Sequence, residues 1–162
     1  MAFNAYVNFG DIKGESTDKD HKDWVVITSY RQSVTQPSVT ERTAGGQSAG
    51  KATFSEFTIT KLLDSATPKL FEAACNGTHI KEVTIELVRA NGGPAYLQIK
   101  LTDVMIAGFL DNAETSGAAQ FPTETINMTY GAIEITYTKQ KPDGTAAGNV
   151  TAKWNVAKGA AA

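Results

Sequence analysis

The residues whose chemistry could support a reaction lie between Gly45 and His79. Gly45, Gly50 and Lys51 have the spacing of a phosphate-binding loop, but such a loop needs a helix after it and a hydroxyl residue that holds magnesium. Alanine follows the lysine here, and the run from Lys51 to Lys61 has the composition of a strand. The pattern therefore does not favour a phosphate site.

Ser48, Asp64 and His79 follow one another in the order of a hydrolase triad, and Ser48 lies in a Gly-x-Ser-x-Gly string. That serine must occupy a tight strand-to-helix turn above a parallel sheet, whereas this string leads into a strand. Cys75 and His79 supply only one sulfur and one imidazole, which do not complete a tetrahedral metal site. We expect Cys75 on the packed face of a helix, His79 at a strand start, and no catalytic, cofactor-binding or metal-binding residue.

Composition narrows the class of protein. The 162 residues are 41% hydrophobic and 20% charged, with a formal net charge of −2, so the chain has no charge excess of the kind that binds nucleic acid. Its longest apolar run, Val104–Leu110, is too short to span a membrane. The lone cysteine precludes an intrachain disulfide, and the N-terminus lacks the pattern of a signal peptide. We expect one soluble domain over residues 1–156 and a flexible tail at 157–162.

The clearest helix signal lies between Thr67 and Gly77. Thr67 can act as the N-cap, and Pro68 suits the first helical position because its missing N–H would be unpaired there. Asn76 and Gly77 offer a left-handed end. The apolar residues at helical spacing are Leu70, Phe71 and Ala74.

The rest of the chain predicts strands. Val83–Leu87 and Leu97–Leu101 alternate apolar and polar residues on either side of a glycine-rich turn, which predicts a hairpin. The apolar parity of Ile126–Tyr137 changes at Gly131, where a bulge would keep one face inward. Seven or more strands with one helix favour a mainly β fold, an antiparallel β-barrel of two packed sheets with one short flanking α-helix. The other strand-like runs are Phe3–Phe9, Trp24–Tyr30, Lys51–Lys61 and Val150–Val156. In Lys51–Lys61 the phenylalanines lie on opposite parities, which indicates either a bulge near Ser55 or a strand covered on both faces.

Strings along nearly the whole chain carry a family resemblance. They include Ile12–Ser16, His21–Trp24, Ala49–Lys51, Phe57–Lys61, Leu63–Asp64 with Thr67–Leu70, Ala74–His79, Leu101–Val104, Pro122–Glu124, Gly144 and Trp154–Val156. In this order and spacing they resemble the Hcp proteins, which form the tube of bacterial type VI secretion systems. The resemblance implies a barrel that assembles into a homo-hexameric ring with a wide lumen.

The same resemblance implies partners and a location. Rings of the family stack into a tube inside a contractile sheath and beneath a spike protein, and some members hold small effector proteins in the lumen. Contraction expels the tube, so the protein resides in the bacterial cytoplasm before firing and is then secreted without a cleaved signal peptide. The resemblance implies no cofactor, no nucleic acid and no membrane insertion.

Two sets of residues become candidate sites by resemblance. The loop 36–50 is where stacked rings would touch, and the segment after Val104 would face the lumen. Many family members carry serines in that segment, and this chain is more apolar there. The stacking candidates are Gln36, Glu41, Arg42, Gly45, Gly46 and Gly50, and the lumen candidates are Ala107, Gly108 and Leu110.

Weaker candidates and one alternative complete the expectations. Phe3–Phe9, Glu15–Asp23 and Gln98–Thr102 are weaker candidates for contacts within a ring. The alternative to a tube protein is a small β-barrel module that binds a sugar or peptide in the barrel mouth or at the loop Asp111–Gln120. Such a module needs an apolar pocket with converging polar groups.

Overall fold

The computed structural model describes residues 3–40, 47–90, 92–115 and 121–161. Within these ranges the chain is mainly β-structure with one helix, as the sequence predicts. The helix α1 spans Thr67–Asn76. The strands are β1 Phe3–Asn8, β2 Val25–Arg31, β3 Val34–Thr35, β4 Ser38–Thr40, β5 Gln47–Ala49, β6 Thr53–Phe54, β7 Phe57–Leu62, β8 His79–Arg89, β9 Leu97–Asn112, β10 Thr123–Gln140, β11 Ala146–Asn155 and β12 Ala160–Ala161.

The main sheet closes on itself. Its strand order is β12-β11-β10-β7-β2-β1-β8-β9, and β10 also pairs with β9. All of these pairings are antiparallel. The predicted antiparallel barrel with one flanking helix is therefore confirmed. Closure removes the free edges of the six strands from β10 round to β9, and β11 and β12 extend the sheet beyond the barrel.

The barrel interior is packed with side chains. Alternating positions of its strands turn inward, so that Phe57 and Ile59 of β7 lie against Ile85 of β8 and Leu101 of β9 in one hydrophobic core. All four of these side chains have no exposed surface. The core therefore fills the barrel interior at the level of these residues.

The predicted hairpin is confirmed with its register. Val83 pairs with Leu101 and Ile85 with Ile99, so the apolar residues of β8 and β9 lie on one face. The run from Lys51 to Lys61, predicted as one strand with a bulge near Ser55, is instead interrupted at Ser55 and Glu56. Its two parts, β6 and β7, belong to different sheets.

The inward-facing parity of β10 changes at Gly131, as the sequence predicts, but no bulge lies at that position. Tyr130 and Ile133, on either side of Gly131, are both buried. The register with β9 is continuous through this level and shifts instead between Asn127 and Met128. The prediction of a bulge at Gly131 is therefore wrong. The positive φ of 55° at Asp103 of β9 accompanies the change of face instead.

The helix begins differently from the prediction. Its N-cap is Ala66, with no side-chain capping bond, and Thr67 is already helical. The Thr67 hydroxyl is not free to cap, because it donates to a Glu124 carboxylate oxygen at 2.9 Å. The predicted end is confirmed, since Gly77 has φ 65° and its N–H donates to the Ala73 carbonyl.

The packed face of α1 also differs from the prediction. Leu70 and Ala73 are buried, whereas Phe71 is 55% exposed. Cys75 is exposed rather than packed. Three- and four-residue spacings alone leave the centre of a helical face ambiguous by one residue, and packing against β9 resolves it.

The C-terminal residues, for which the sequence predicts a flexible tail, fold back on the sheet. Ala160 pairs with Asn155, and Ala161 pairs with Trp154. Gly159 makes the reversal with φ 64°, and its N–H donates to the Asn155 carbonyl at 2.9 Å. The described helix is too short and too polar to cross a membrane.

Candidate functional site

The predicted stacking loop 36–50 is a β-ribbon in its described part. β4 pairs with β5, and the Gly50 N–H donates to the Pro37 carbonyl at 2.8 Å. The Gln36 side-chain amide donates to the Gly50 carbonyl, so the structure brings these two candidate residues together. The other stacking candidates, Glu41, Arg42, Gly45 and Gly46, lie outside the described residues.

Gly50 is required by close approach. A Cβ atom there would lie 2.9 Å from both the Pro37 carbonyl oxygen and the Pro37 Cγ atom. Because one of these is a backbone atom, any larger residue must displace the strand opposite it. The glycine is therefore a steric requirement of the ribbon, and not evidence of flexibility.

Aromatic contacts hold the base of this ribbon on the barrel. Phe54 lies 6.5 Å, between ring centroids, from both Tyr130 and Trp154. The Tyr130 hydroxyl donates to the Ser55 carbonyl at 3.2 Å, and burial raises the pKa of this phenol. The base of the ribbon is consequently fixed relative to β10 and β11.

A mostly apolar groove lies beneath the base of the ribbon. Its volume is about 370 Å³. Val34 and Phe54 form one wall, and Ile135 and Trp154 form the other. The only charged side chain among its lining residues is Lys153, which pairs with Glu134 at 2.9 Å. The groove therefore offers little of the converging polar chemistry that recognises a sugar.

The predicted lumen residues lie on one outward strip of β9. The register passes from Gly108 opposite Asn127 to Ile106 opposite Met128, which leaves Ala107 as the extra residue of a bulge. Ala107 is exposed, and Leu110 is 63% exposed. The structure thus groups Ala107, Gly108 and Leu110 on the same outer face.

Around the bulge, this outer face carries no charged side chain on β7, β9 and β10, and Arg31 of β2 lies at its edge opposite Thr58. We define the uncharged face as the outward positions of β7, β9 and β10 around the bulge. They alternate with buried residues such as Ile59 and Ile126 and carry threonine, asparagine, alanine and glycine together with one leucine. The residues of the uncharged face are Thr58, Thr60, Ala107, Gly108, Leu110, Thr125, Asn127 and Thr129.

The segment Glu15–Asp23, a weaker ring-contact candidate, is fixed to the barrel by His21. The imidazole is 4% exposed and stacks on the Tyr6 ring at 4.4 Å between centroids. Its Nδ1 lies 2.7 Å from an Asp18 carboxylate oxygen, and its Nε2 lies 2.8 Å from a Glu86 oxygen. The hydrogen bond from His21 lowers the pKa of Asp18. His21 therefore anchors the segment Glu15–Asp23 to the barrel wall.

A buried ionic cluster, which sequence reasoning missed, lies beneath the start of α1. Lys61 and Glu124 have no exposed surface and form a salt bridge. The Lys61 ammonium also lies 2.8 Å from an Asp64 oxygen and donates to the Thr67 hydroxyl at 3.2 Å. The one available signal was the position of Lys61 and Glu124 on the inward parity of their strands. The cluster joins the helix start to two barrel strands.

Asp64 and His79, which follow Ser48 in the order of a hydrolase triad, have other partners. Asp64 is bound to Lys61, and the His79 Nδ1 atom lies 2.9 Å from an Asp103 oxygen at the exposed start of β8. Over the described ranges no group of histidine, cysteine, aspartate and glutamate could hold a metal ion. The described residues offer surfaces: a β-ribbon anchored at its base, an uncharged face and a packed barrel.

Comparison with known proteins gives this fold a class. A family model described as "Type VI secretion system effector, Hcp" matches residues 6–137. The chain therefore belongs to the Hcp family of type VI secretion. The resemblance stated from the sequence strings is thus confirmed.

Particular relatives extend over most of the chain. "Protein hcp1" of Pseudomonas aeruginosa is 29% identical over 159 residues, which cover 96% of both chains. The "Major exported protein" of the same organism is 27% identical over 134 residues, covering 78% of this chain and 76% of the relative. A solved "type six secretion system protein" superposes with a TM-score of 0.93 at 28% identity, over 99% of this chain and 100% of the other.

Proposed function

We propose that this chain is a tube protein of a type VI secretion system. Six copies form a ring, rings stack into a tube, and the tube is expelled by a contractile sheath with a spike protein at its tip. Membership of the Hcp family and the near-complete overlap with "Protein hcp1" support this proposal. The role is architectural, and the chain carries out no catalysis.

The observation that carries the proposal is the uncharged face. A surface past which folded cargo must slide should not hold it by ion pairs, because each desolvated pair would retain the cargo. Threonine and asparagine offer weak, replaceable hydrogen bonds, and Ala107 and Gly108 add no bulk at the bulge. We assign this face to the lumen, where small effector proteins are carried.

The stacking role falls to the ribbon 36–50. Its base is held by Phe54 on Tyr130 and Trp154, so a load on the ribbon is transmitted to β10 and β11. A rigid projection loses little conformational entropy when it docks on another ring. Gln36 and Gly50, which bond to each other, form the fixed end of this projection.

Export from the bacterial cytoplasm follows from the same role. A relative is named "Major exported protein", which supports release of this chain from the cell. The test is secretion in the native bacterium: the chain should appear in the medium of cells with an intact sheath and remain inside cells that lack the sheath protein. Equal release from both strains would contradict the proposal, and a lysis marker in the medium serves as the control.

A further inference from the structure

Two turns at one end of the barrel enclose a polar cavity. Its volume is about 390 Å³, and it lies between the turn after β8 and the turn after β10. The Gln140 side-chain amide donates to the Pro94 carbonyl at 3.2 Å and so ties the two turns together. The lining residues are Arg89, Gly92, Gln140, Lys141, Pro142 and Gly144.

The cavity holds two cations without a matching anion. Within the described ranges, no carboxylate lies within ion-pair distance of Arg89 or Lys141. Asp143, the nearest carboxylate in sequence, accepts hydrogen bonds from the Thr145 N–H and hydroxyl at 2.9 and 2.7 Å. These bonds lower the pKa of Asp143 and hold it within its own turn. Arginine presents a planar fork that matches a carboxylate, and a lysine beside it adds a second charge.

The opposite end of the barrel has the complementary character. The register places Asn112, Thr123 and Leu62 at one level, far along the strands from the pairing of Leu87 with Leu97 near the cavity. At that opposite end Phe121 is 61% exposed and Leu62 43% exposed. The exposed carboxylates that surround this end are Glu15, Asp111 and Glu114.

The ribbon 36–50 leaves the barrel at the cavity end. β2 ends there at Arg31 and β7 begins there at Phe57, because Arg31 lies opposite Thr58 in the sheet. The surface assigned to ring stacking and the cationic cavity are therefore at the same end of the molecule.

We propose that the Arg89–Lys141 cavity is a carboxylate-binding site, and that the carboxylate comes from Asp111 or Glu114 of a second copy in the next ring. The choice of a second copy rests on the proposed tube function. The site makes stacking directional, since a basic end meets an acidic end and two like ends repel. It also makes stacking sensitive to salt, because exposed charges are screened.

The first test measures the site alone. Citrate, a free polycarboxylate, is titrated calorimetrically into the wild-type protein and into the double variant Arg89→Gln/Lys141→Gln. We expect the double variant to bind citrate at least about tenfold more weakly. The matched control is Lys139→Gln, an exposed lysine two residues away on β10, which should bind citrate like the wild type. Equal citrate affinity in all three proteins would overturn the proposal, and melting curves confirm that each is folded.

The second test identifies the source of the carboxylate. Sedimentation at low salt measures association beyond the ring for the variants Arg89→Glu/Lys141→Glu and Asp111→Lys/Glu114→Lys, separately and mixed. We expect each variant alone to remain as rings and the mixture to recover association. Cavity-dependent citrate binding without recovery on mixing, or wild-type rings that never associate, would overturn the second copy as the source. A wild-type monomer would instead count against the proposed tube function, and the citrate titration would still decide the site.

Discussion

Asp103 of β9 lies opposite Gly131 of β10, and a Cβ atom on Gly131 would be 3.3 Å from the Asp103 Cβ atom. Asp103 has φ 55°, a left-handed conformation that few residues other than glycine, asparagine and aspartate adopt. At this level the inward parity changes in both strands, from Leu101 to Val104 in β9 and from Tyr130 to Ile133 in β10. The pair therefore bends the barrel wall while the register is kept.

Replacing Gly131 should reveal this contact as a coupling energy. We expect Gly131→Ala to reduce the free energy of unfolding by about 1–2 kcal/mol, because the new methyl group is forced against Asp103. In an Asp103→Gly background, which removes that Cβ atom, the same substitution should cost clearly less. Urea unfolding of the four proteins measures the coupling. Strictly additive costs would show that the two residues do not interact.

Removing one partner of the buried ionic cluster should lower the free energy of unfolding strongly. In Lys61→Met the Glu124 carboxylate stays buried without its cation, and we expect a loss of about 3–5 kcal/mol in unfolding free energy. Lys61→Met combined with Glu124→Leu should recover part of that loss, because the Glu124 carboxylate is gone, although Asp64 still loses its ion pair with Lys61. Urea denaturation provides the measurement.

Lys69 supplies the matched control for Lys61. Its salt bridge to Glu72 spans 2.7 Å, but the two side chains are 68% and 58% exposed. Lys69→Met should therefore change the unfolding free energy by less than about 1 kcal/mol. Similar effects of Lys61→Met and Lys69→Met would contradict the account of the cluster.

The hydrogen bond between His21 and Asp18 should make the melting temperature depend on pH in the acid range. The hydrogen bond from His21 lowers the pKa of Asp18 below its ordinary value of 3.8 in the folded protein. The stabilisation that this hydrogen bond gives is therefore present above pH 3.8 and is lost as the pH falls through the lowered pKa of Asp18. We expect Asp18→Asn to lower the melting temperature at pH 6, and this difference to shrink below about pH 3.8.

The His21→Ala background tests the cause of that pH dependence. Without the imidazole, Asp18→Asn should have a smaller effect on the melting temperature, because only the backbone N–H groups of Asp20 and His21 still donate to the Asp18 carboxylate. Asp143→Asn is the control, because Thr145 lowers the pKa of that carboxyl independently of His21. An undiminished effect of Asp18→Asn in the His21→Ala protein would refute the assignment.

Gly50 should matter for stacking more than for folding. A methyl group at this position collides with the Pro37 carbonyl, so Gly50→Ala must distort the ribbon. Because the ribbon lies outside the barrel core, we expect melting temperatures to change little and the association of rings to weaken about tenfold. Sedimentation measures the association. Lys51→Ala, the neighbouring exposed position, is the control, and equal effects of both variants would contradict a steric role for Gly50.

The sequence predicts this fold where local pattern and tertiary packing agree. The β8–β9 hairpin follows from alternation and a glycine-rich turn, and the end of α1 follows from the left-handed conformation of Gly77. The local sequence pattern gives a wrong prediction where a residue distant in sequence determines the hydrogen bonding. Thr67 looks like an N-cap, but its hydroxyl donates a hydrogen bond to the carboxylate of Glu124, 57 residues away.

The candidate sites were less predictable than the fold. Lys61 and Glu124 each lie on the inward parity of a strand, but only the closed barrel shows that the two side chains meet. The Arg89–Lys141 cavity depends on two hairpin turns that are far apart in sequence and adjacent in space. Assembly surfaces depend on a second copy, and the chain's own pattern does not encode that copy's position.

The central claim is that this chain is a ring-forming tube protein, and the mass of the purified protein in solution tests it most directly. Light scattering during size-exclusion chromatography should give six times the chain mass of 17.3 kDa, with six-fold rings in negative-stain images of the same fraction. A monomer at every concentration and salt condition would contradict the claim and leave only the barrel fold standing.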